Sequence, residues 1–561
     1  MTTASDFEEA PGGGPCNRRA VLASIAGLGI GTAVFQRALA QQVTASLTVT
    51  AEMIQQAEWI AGLDLAEEDR TAVAGRVQSA LRQFAEMREI DVGYDVPPAM
   101  LFNPAPTMQH NATLDRSSVH ANSSPVNRPT SDEALAFQSV NELASLIRTK
   151  QISSVELTKL YLDRLHRFDE TLKCVVTFTD DLALRQAKQA DEEISRGTYR
   201  GPLHGVPWGA KDLIAYPGYK TTWGATPFQN QQLDVKATVA DRLDQAGAVL
   251  VAKLSLGALA MGDKWFGGMT RNPWNTEQGS SGSSAGSASA VAAGLVGFAL
   301  GSETLGSIVS PCRRCGTSGL RPTYGRVSRF GCMTLAWSMD KIGPICRSLE
   351  DCAIVFGAIH GHDGRDGTAV NEPFTWPMSG ELSALRVGYL EESGKSPEDR
   401  VELQVLRQLG VQLVPIRLPD KLPVWAMTIV LNTEAATVFD ELNRNNVTEG
   451  LNSWPNSFRQ GAFVSAVEYL RANRLRTMLM KEMEELMSGI DCYVGGDDLA
   501  ITNLTGHPTA VLPNGFEQKG KVRTPNAITF TGRLFEETKL LAVAHAYQQA
   551  TDFHREHPAL G

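Results

Sequence analysis

The residues of this chain best suited to nucleophilic chemistry are one lysine and several serines set among glycines. The segment GSSGSSAGSASAVAAG, residues 279–294, holds six serines and four glycines. Such composition suits a flexible linker, or a site where backbone crowds closely and one hydroxyl reacts. Gly282-Ser283-Ser284-Ala285-Gly286 spells G-x-S-x-G, the nucleophile elbow, with Ser284 as its nucleophile. An elbow needs an apolar strand directly before it. Here stands RNPWNTEQGSS, polar and interrupted by Pro273, so the elbow reading is set aside. A second candidate is Ser307, which sits with Gly306 in a turn between apolar segments. Upstream, Lys211 ends the apolar stretch GPLHGVPWGAK. A lysine among small and apolar residues is poorly solvated in its charged form, which pulls its pKa down from ~10.4. Once neutral, it can act as the base for a serine without any histidine.

The elements that position these residues read as α/β. Short apolar runs, GAVLVAKL at 247–254 and LRVGYL at 385–390, alternate with helical patterns such as TVADRLDQAG, which predicts a parallel or mixed sheet. NELASLIRTKQISSVELTKLYLDRLHRF reads as two amphipathic helices. The second is opened by Ser153 with Glu156 three residues on, the pattern of a capping box. No nucleotide-binding glycine motif is present. A net charge of −10 and the absence of a Lys/Arg-rich run count against nucleic acid as a partner.

The N-terminus is organised differently. Arg18 and Arg19, the apolar run Ala20–Phe35 and the small-x-small site Ala38-Leu39-Ala40 read as a cleaved signal peptide of the twin-arginine type over residues 1–40. This predicts a periplasmic or secreted protein with no stable membrane insertion after cleavage. Met53, Ala57, Ile60, Val73, Val77, Leu81 and Phe84 recur at helical spacing and predict a helical segment within 41–95. Six prolines between Val96 and Pro129 mark 96–130 as an extended linker, and the main domain follows over 131–561. Of the eight cysteines, Cys312 and Cys315 form a lone C-x-x-C with no second pair or neighbouring histidine. That pattern counts against a zinc site and leaves a local disulfide or two buried thiols.

With these blocks in view, the chain resembles the amidase signature family from about Asn141 to Pro513. The likeness rests on GPLHGVPWGAKD, GSSGSSAGSASAVAAG, ETLGSIVSP, GLRPTYGRVS, SMDKIGPICRSLEDCA and NLTGHPTAVLPNG, in that order. The resemblance implies a large mixed β-sheet covered by helices on both sides, here with an N-terminal helical extension, and a Ser–cis-Ser–Lys triad. Carried over residue by residue, Lys211 is the base, Ser283 the bridging cis serine and Ser307 the nucleophile. Backbone N–H groups of Thr304, Leu305, Gly306 and Ser307 form the oxyanion hole. No metal or cofactor is implied. Asp212, Ser284 and Thr323 are read as ordering the surrounding loops.

The activity implied is hydrolysis of small-molecule amides through a serine acyl-enzyme, with esters and carbamates as further substrates and a homodimer as a compatible assembly. The alternatives are a silent binding protein of the same fold and a glutamyl-tRNA amidotransferase A-like subunit. Two departures from the family pattern motivate the silent reading. Leu305 stands where glycine is usual and adds bulk beside the oxyanion hole. Val309 stands where arginine is usual, so Glu303 is expected to pair with Arg313 or Arg314, or to be protonated.

Overall fold

The structure, a computed structural model, describes residues 48–90, 100, 118–120, 126–391, 396–496, 498–520 and 522–560. The signal-peptide reading of 1–40 and most of the linker reading of 96–130 lie outside these residues.

Apolar runs alternating with amphipathic segments build an eleven-stranded sheet. In chain order its strands are β1 (Val175–Phe178), β2 (Pro207–Lys211), β3 (Val249–Leu254), β4 (Phe298–Glu303), β5 (Ser318–Arg321), β6 (Lys341–Cys346), β7 (Arg386–Leu390), β8 (Gln412–Ile416), β9 (Cys492–Val494), β10 (Thr509–Lys519) and β11 (Val522–Gly532). Their order across the sheet is β8-β7-β9-β11-β10-β5-β6-β4-β2-β3-β1. β2 runs parallel to β3 and β4, whereas β4 and β6 are antiparallel, so the sheet is mixed, as expected.

The central strands are buried on both faces. In β4, Phe298 and Leu300 join one apolar core and Ala299 the other; in β3, Leu250 joins the first and Val249 and Val251 the second. This is the period-two alternation of strands covered by helices on both sides. One core includes Leu143 and Leu146 of helix Val140–Arg148, with Ile354 and Val355 of helix Leu349–Ile359; the other includes Ala183 and Ala187 of helix Asp180–Ser195.

Two details depart from the sequence reading. The reciprocal capping box forms at Ser139 and Glu142, on the first of the two helices. At Ser153 only half of it forms: the hydroxyl accepts from the Glu156 N–H at 3.0 Å, while the Glu156 carboxylate is taken by Arg128 at 2.5 Å. Cys312 and Cys315 are free, buried thiols on helix Val309–Cys315, so no local disulfide forms.

The N-terminal spacing gives helices Ala51–Ala57 and Glu67–Arg88. Val73 and Phe84 are buried, whereas Ile60 and Leu81 stay exposed. This pair packs on a helical cap made chiefly of Ile429–Val438, Trp454–Ala462 and Ala466–Ser488. Among the described residues no helix is long and apolar enough to cross a membrane.

Candidate active site

The C-terminal ends of parallel strands gather polar groups because their side chains and following turns open outside the sheet. Lys211 is the last residue of β2, and Ser302 and Glu303 end its parallel neighbour β4. The Lys211 amine is fully buried and lies 2.8 Å from Ser283 Oγ, 2.9 Å from Ser302 Oγ and 3.1 Å from Ser284 Oγ. No carboxylate reaches it among the described residues. Burial pulls its pKa down to about 7, against the opposing fields of Asp340 and Glu303. Burial thus favours the free amine, which lies in contact with a hydroxyl.

The Gly/Ser segment is shaped by close packing. The Gly282–Ser283 peptide is cis, the isomer that the family resemblance implies at Ser283. A Cβ on Gly282 would lie 1.9 Å from the Gly262 carbonyl oxygen, so only glycine allows this approach. The Ser281 N–H donates to Asp263 Oδ2 at 3.0 Å, which ties the serine loop to the loop before it. Helix Ala285–Ala292 follows, every residue of it small and buried. A Cβ on its Gly286 would meet the Cys174 carbonyl oxygen and the Ser255 nitrogen, both at 2.5 Å. The alanines, serines and glycine thus serve helix packing as much as chemistry.

Ser284 does not stand in a strand–turn–helix elbow of the main sheet. The strand before it, Asn275–Gly279, belongs to a separate two-stranded ribbon. Its hydroxyl is buried between Lys211 and the Ser302 carbonyl, to which it donates at 3.1 Å. Its N–H donates to the Ser307 carbonyl at 3.1 Å and so holds the two serine loops together.

Ser307 lies in the turn between β4 and helix Val309–Cys315 and is half-buried. Gly306 has φ +92, a conformation that glycine adopts without cost. Among the described residues the N–H groups of Leu305, Gly306 and Ser307 donate to no protein acceptor, which leaves them available to an anionic oxygen. Thr304 Oγ1 donates to Asp340 Oδ1 at 2.6 Å, and Asp340 Oδ2 in turn accepts from the N–H groups of Leu335 and Ala336. Burial pushes the Asp340 carboxyl up, against these hydrogen bonds.

Glu303 holds the far side of the turn. Oε2 accepts from the N–H groups of Ile308 and Val309 at 2.7 and 2.9 Å. Oε1 accepts from Arg321 Nη1 at 2.7 Å and from Asn503 Nδ2 at 2.8 Å. Burial alone would raise this carboxyl, but Arg321, the Val309 N–H and Asn503 together hold it at about 2. The expected partners are thus corrected. Arg313 reaches Thr529, Arg314 is exposed, and the counter-charge comes from β5. Val309 takes up a core position instead of a charge-pairing one, and Leu305 packs half-buried against the main core.

Sequence reasoning missed Ser302, Arg321, Asp340 and Asn503. Ser302 and Arg321 lie in or beside the serine and GLRPTYG blocks, and a buried acid without its usual arginine was a signal to look for another cation. Asp212, read as a loop-ordering residue, accepts from Thr222 N–H at 2.8 Å and from Lys253 Nζ at 2.7 Å, with both ion-pair partners fully buried. Thr323 accepts from the Phe535 N–H at 2.9 Å and likewise orders a loop.

Known proteins resemble this chain along most of its length. A family model described as Amidase matches residues 156–495. The A-type subunit of glutamyl-tRNA(Gln) amidotransferase from Chloroflexus aurantiacus is 34% identical over 469 residues, covering 73% of this chain and 96% of the relative. Its counterpart from Geobacillus kaustophilus is 32% identical, covering 76% of this chain and 100% of the relative. The solved native peptide amidase from Stenotrophomonas maltophilia superposes with a TM-score of 0.65 at 28% identity, over 75% of this chain and 98% of that one. A bacterial aryl acylamidase superposes with a TM-score of 0.65 at 22% identity, over 75% and 99%, a likeness of fold.

Proposed function

Because the chain belongs to the amidase signature family, whose members act on carbon–nitrogen bonds, we propose that it hydrolyses small-molecule amides through an acyl-enzyme on Ser307. The observation that carries this reading is the buried Lys211 amine, 2.8 Å from Ser283 Oγ, with a pKa of about 7 and no carboxylate partner among the described residues. Neutral Lys211 takes the proton of Ser283 as Ser283 takes that of Ser307, whose oxygen attacks the carbonyl carbon. The oxyanion is received by the N–H groups of residues 304–307, donors of a kind each worth about 2.7–4 kcal/mol. The proton returns through Ser283 to the departing amine, and water then releases the acyl group. Esters and carbamates present the same carbonyl to the same nucleophile.

A fluorophosphonate tests the assignment. Labelling at Ser307, lost in Ser307→Ala and strongly slowed in Lys211→Ala, supports it; labelling at Ser284 overturns it. A screen of p-nitroanilides, aliphatic and aryl amides, peptide amides, esters and carbamates then defines the substrate class.

The names of the relatives at 32–34% identity favour a second reading, in which the chain is one component of an amidotransferase. Under it the chain shows amide hydrolysis only when assembled with partner proteins; turnover by the isolated chain excludes it. Export is proposed on the residue 1–40 pattern. A mature N-terminus near Gln41 in periplasmic material supports export, and intact protein starting at Met1 or Thr2 in a host with a working twin-arginine pathway overturns it.

A further inference from the structure

The helix pair Ala51–Ala57 and Glu67–Arg88 lies outside the stretch that the family model matches, and the chemistry proposed above gives it no task. Its contacts suggest one. Ile54, Leu63, Leu65, Val73 and Ala74 form a small apolar cluster that takes in Ala462 and Phe463 of the cap. Two buried cap charges find their partners on the pair. The Arg459 side chain is 2% exposed and is held by both Asp69 oxygens, at 2.6 and 2.9 Å. Glu468, 4% exposed, accepts from Arg88 Nε at 2.8 Å, with Arg471 of its own helix as a more distant second partner at 3.3 Å. Without the pair, Arg459 would keep only a 3.4 Å contact to Asn456 Oδ1, and a buried guanidinium without a carboxylate is strongly unfavourable. The cap surface is therefore built around the helix pair.

The same cap region holds two segments that pack behind the loops of the site. At the start of Trp454–Ala462, Trp454 Nε1 donates to the Ala258 carbonyl at 3.1 Å. Just before it, Asn452 Nδ2 donates to the carbonyls of Met261 and Lys264 at 3.0 and 2.9 Å. This is the loop whose Gly262 carbonyl and Asp263 carboxylate pack on Gly282 and Ser281. From Ala466–Ser488, Arg476 donates to the Ser338 hydroxyl and carbonyl at 2.8 and 2.7 Å. Ser338 lies two residues from Asp340, which holds Thr304. Arg459 and Glu468 thus sit one on each of the cap helices whose contacts lead, through residues 258–264 and through Ser338 and Asp340, toward Ser283 and Thr304 respectively.

We propose that the N-terminal helix pair is a built-in positioning element of the active site, clasping the cap through Asp69–Arg459 and Arg88–Glu468 so that the loops bearing Ser283 and Thr304 keep their geometry. The inference rests on the reading of Ser283 and Ser307 given above. Misplacement of reacting groups lowers the chemical step while leaving ground-state binding largely intact.

The test uses the full chain at a temperature where circular dichroism shows each variant folded. Asp69→Ala is expected to lower kcat by about tenfold or more, with KM changed less than about threefold and with fluorophosphonate labelling of Ser307 slowed in parallel; Asp69→Glu restores most of the rate. Arg88→Ala, which removes an ion pair whose arginine is half-exposed, gives a milder loss of the same kind and serves if Asp69→Ala does not fold. Unchanged kcat and labelling rate in folded Asp69→Ala or Arg88→Ala, whatever happens to the melting temperature, overturn the proposal. Wild-type protein that is not labelled at Ser307 overturns the functional reading instead, so the two failures are distinguishable.

Discussion

Replacing Glu303 by glutamine removes the charge that holds the Ser307 turn, and its cost can be worked out in two ways. Glu303 and Arg321 are both fully buried and 2.7 Å apart. Removing one member of such a pair leaves an uncompensated charge, at a cost of about 3–5 kcal/mol. Linkage gives the same scale. A carboxyl held at about 2 in the folded chain, against ~4.3 when unfolded, contributes about 3 kcal/mol. Because the folded value is the lower one, this stability is fully present above pH ~4.3 and is lost as pH falls toward about 2.

Urea unfolding followed by tryptophan fluorescence is expected to show Glu303→Gln less stable than wild type by about 3 kcal/mol at pH 7.5, with the gap narrowing below pH ~4.3. The double variant Glu303→Gln/Arg321→Met should recover part of the loss, because no unpaired charge remains. Activity should fall as well, since Glu303 also fixes the N–H groups of Ile308 and Val309 beside Ser307. A gap below about 0.5 kcal/mol, the range of ordinary surface substitutions, or a gap indifferent to pH would refute the account of how the turn is held.

The pH–rate profile of kcat/KM should rise through an acid limb near pH 7, as buried Lys211 loses its proton, and a flat profile from pH 5.5 to 8 would exclude Lys211 as the base. The folded value of Lys211 lies below its unfolded ~10.4, so the unfolded chain binds the extra proton between about 7 and ~10.4 and this group makes stability rise with pH across that window. Gly282→Ala places a Cβ 1.9 Å from a backbone oxygen that cannot rotate away; displacement of Ser283 should cost on the order of 10²-fold in kcat, and wild-type turnover by this variant would show that the loop has room to spare.

Much of the candidate site was legible as text because its residues sit in local strings. Lys211, Ser283 and Ser307 each stand in a short block whose glycines and small residues signal close backbone approach, and the alternation of apolar runs with helical patterns predicted the α/β sheet. The false elbow at Ser284 could also be dismissed locally, since no apolar strand precedes it. The partners of buried charges were a different matter. Arg321 meets Glu303, and Asp340 meets Thr304, because β5 and β6 lie next to one another and β6 next to β4 in the sheet. Strand order is set by tertiary packing and leaves no mark in the residues around either member of a pair. The nearby Arg313 and Arg314 were natural guesses by sequence distance, yet their helix turns them toward Thr529 and solvent. The N-terminal segment likewise read as helical from its spacing alone. That its Asp69 and Arg88 would meet Arg459 and Glu468 depended on where the cap came to rest, because burying a charge demands an opposite charge at that place in space, however far away it lies along the chain.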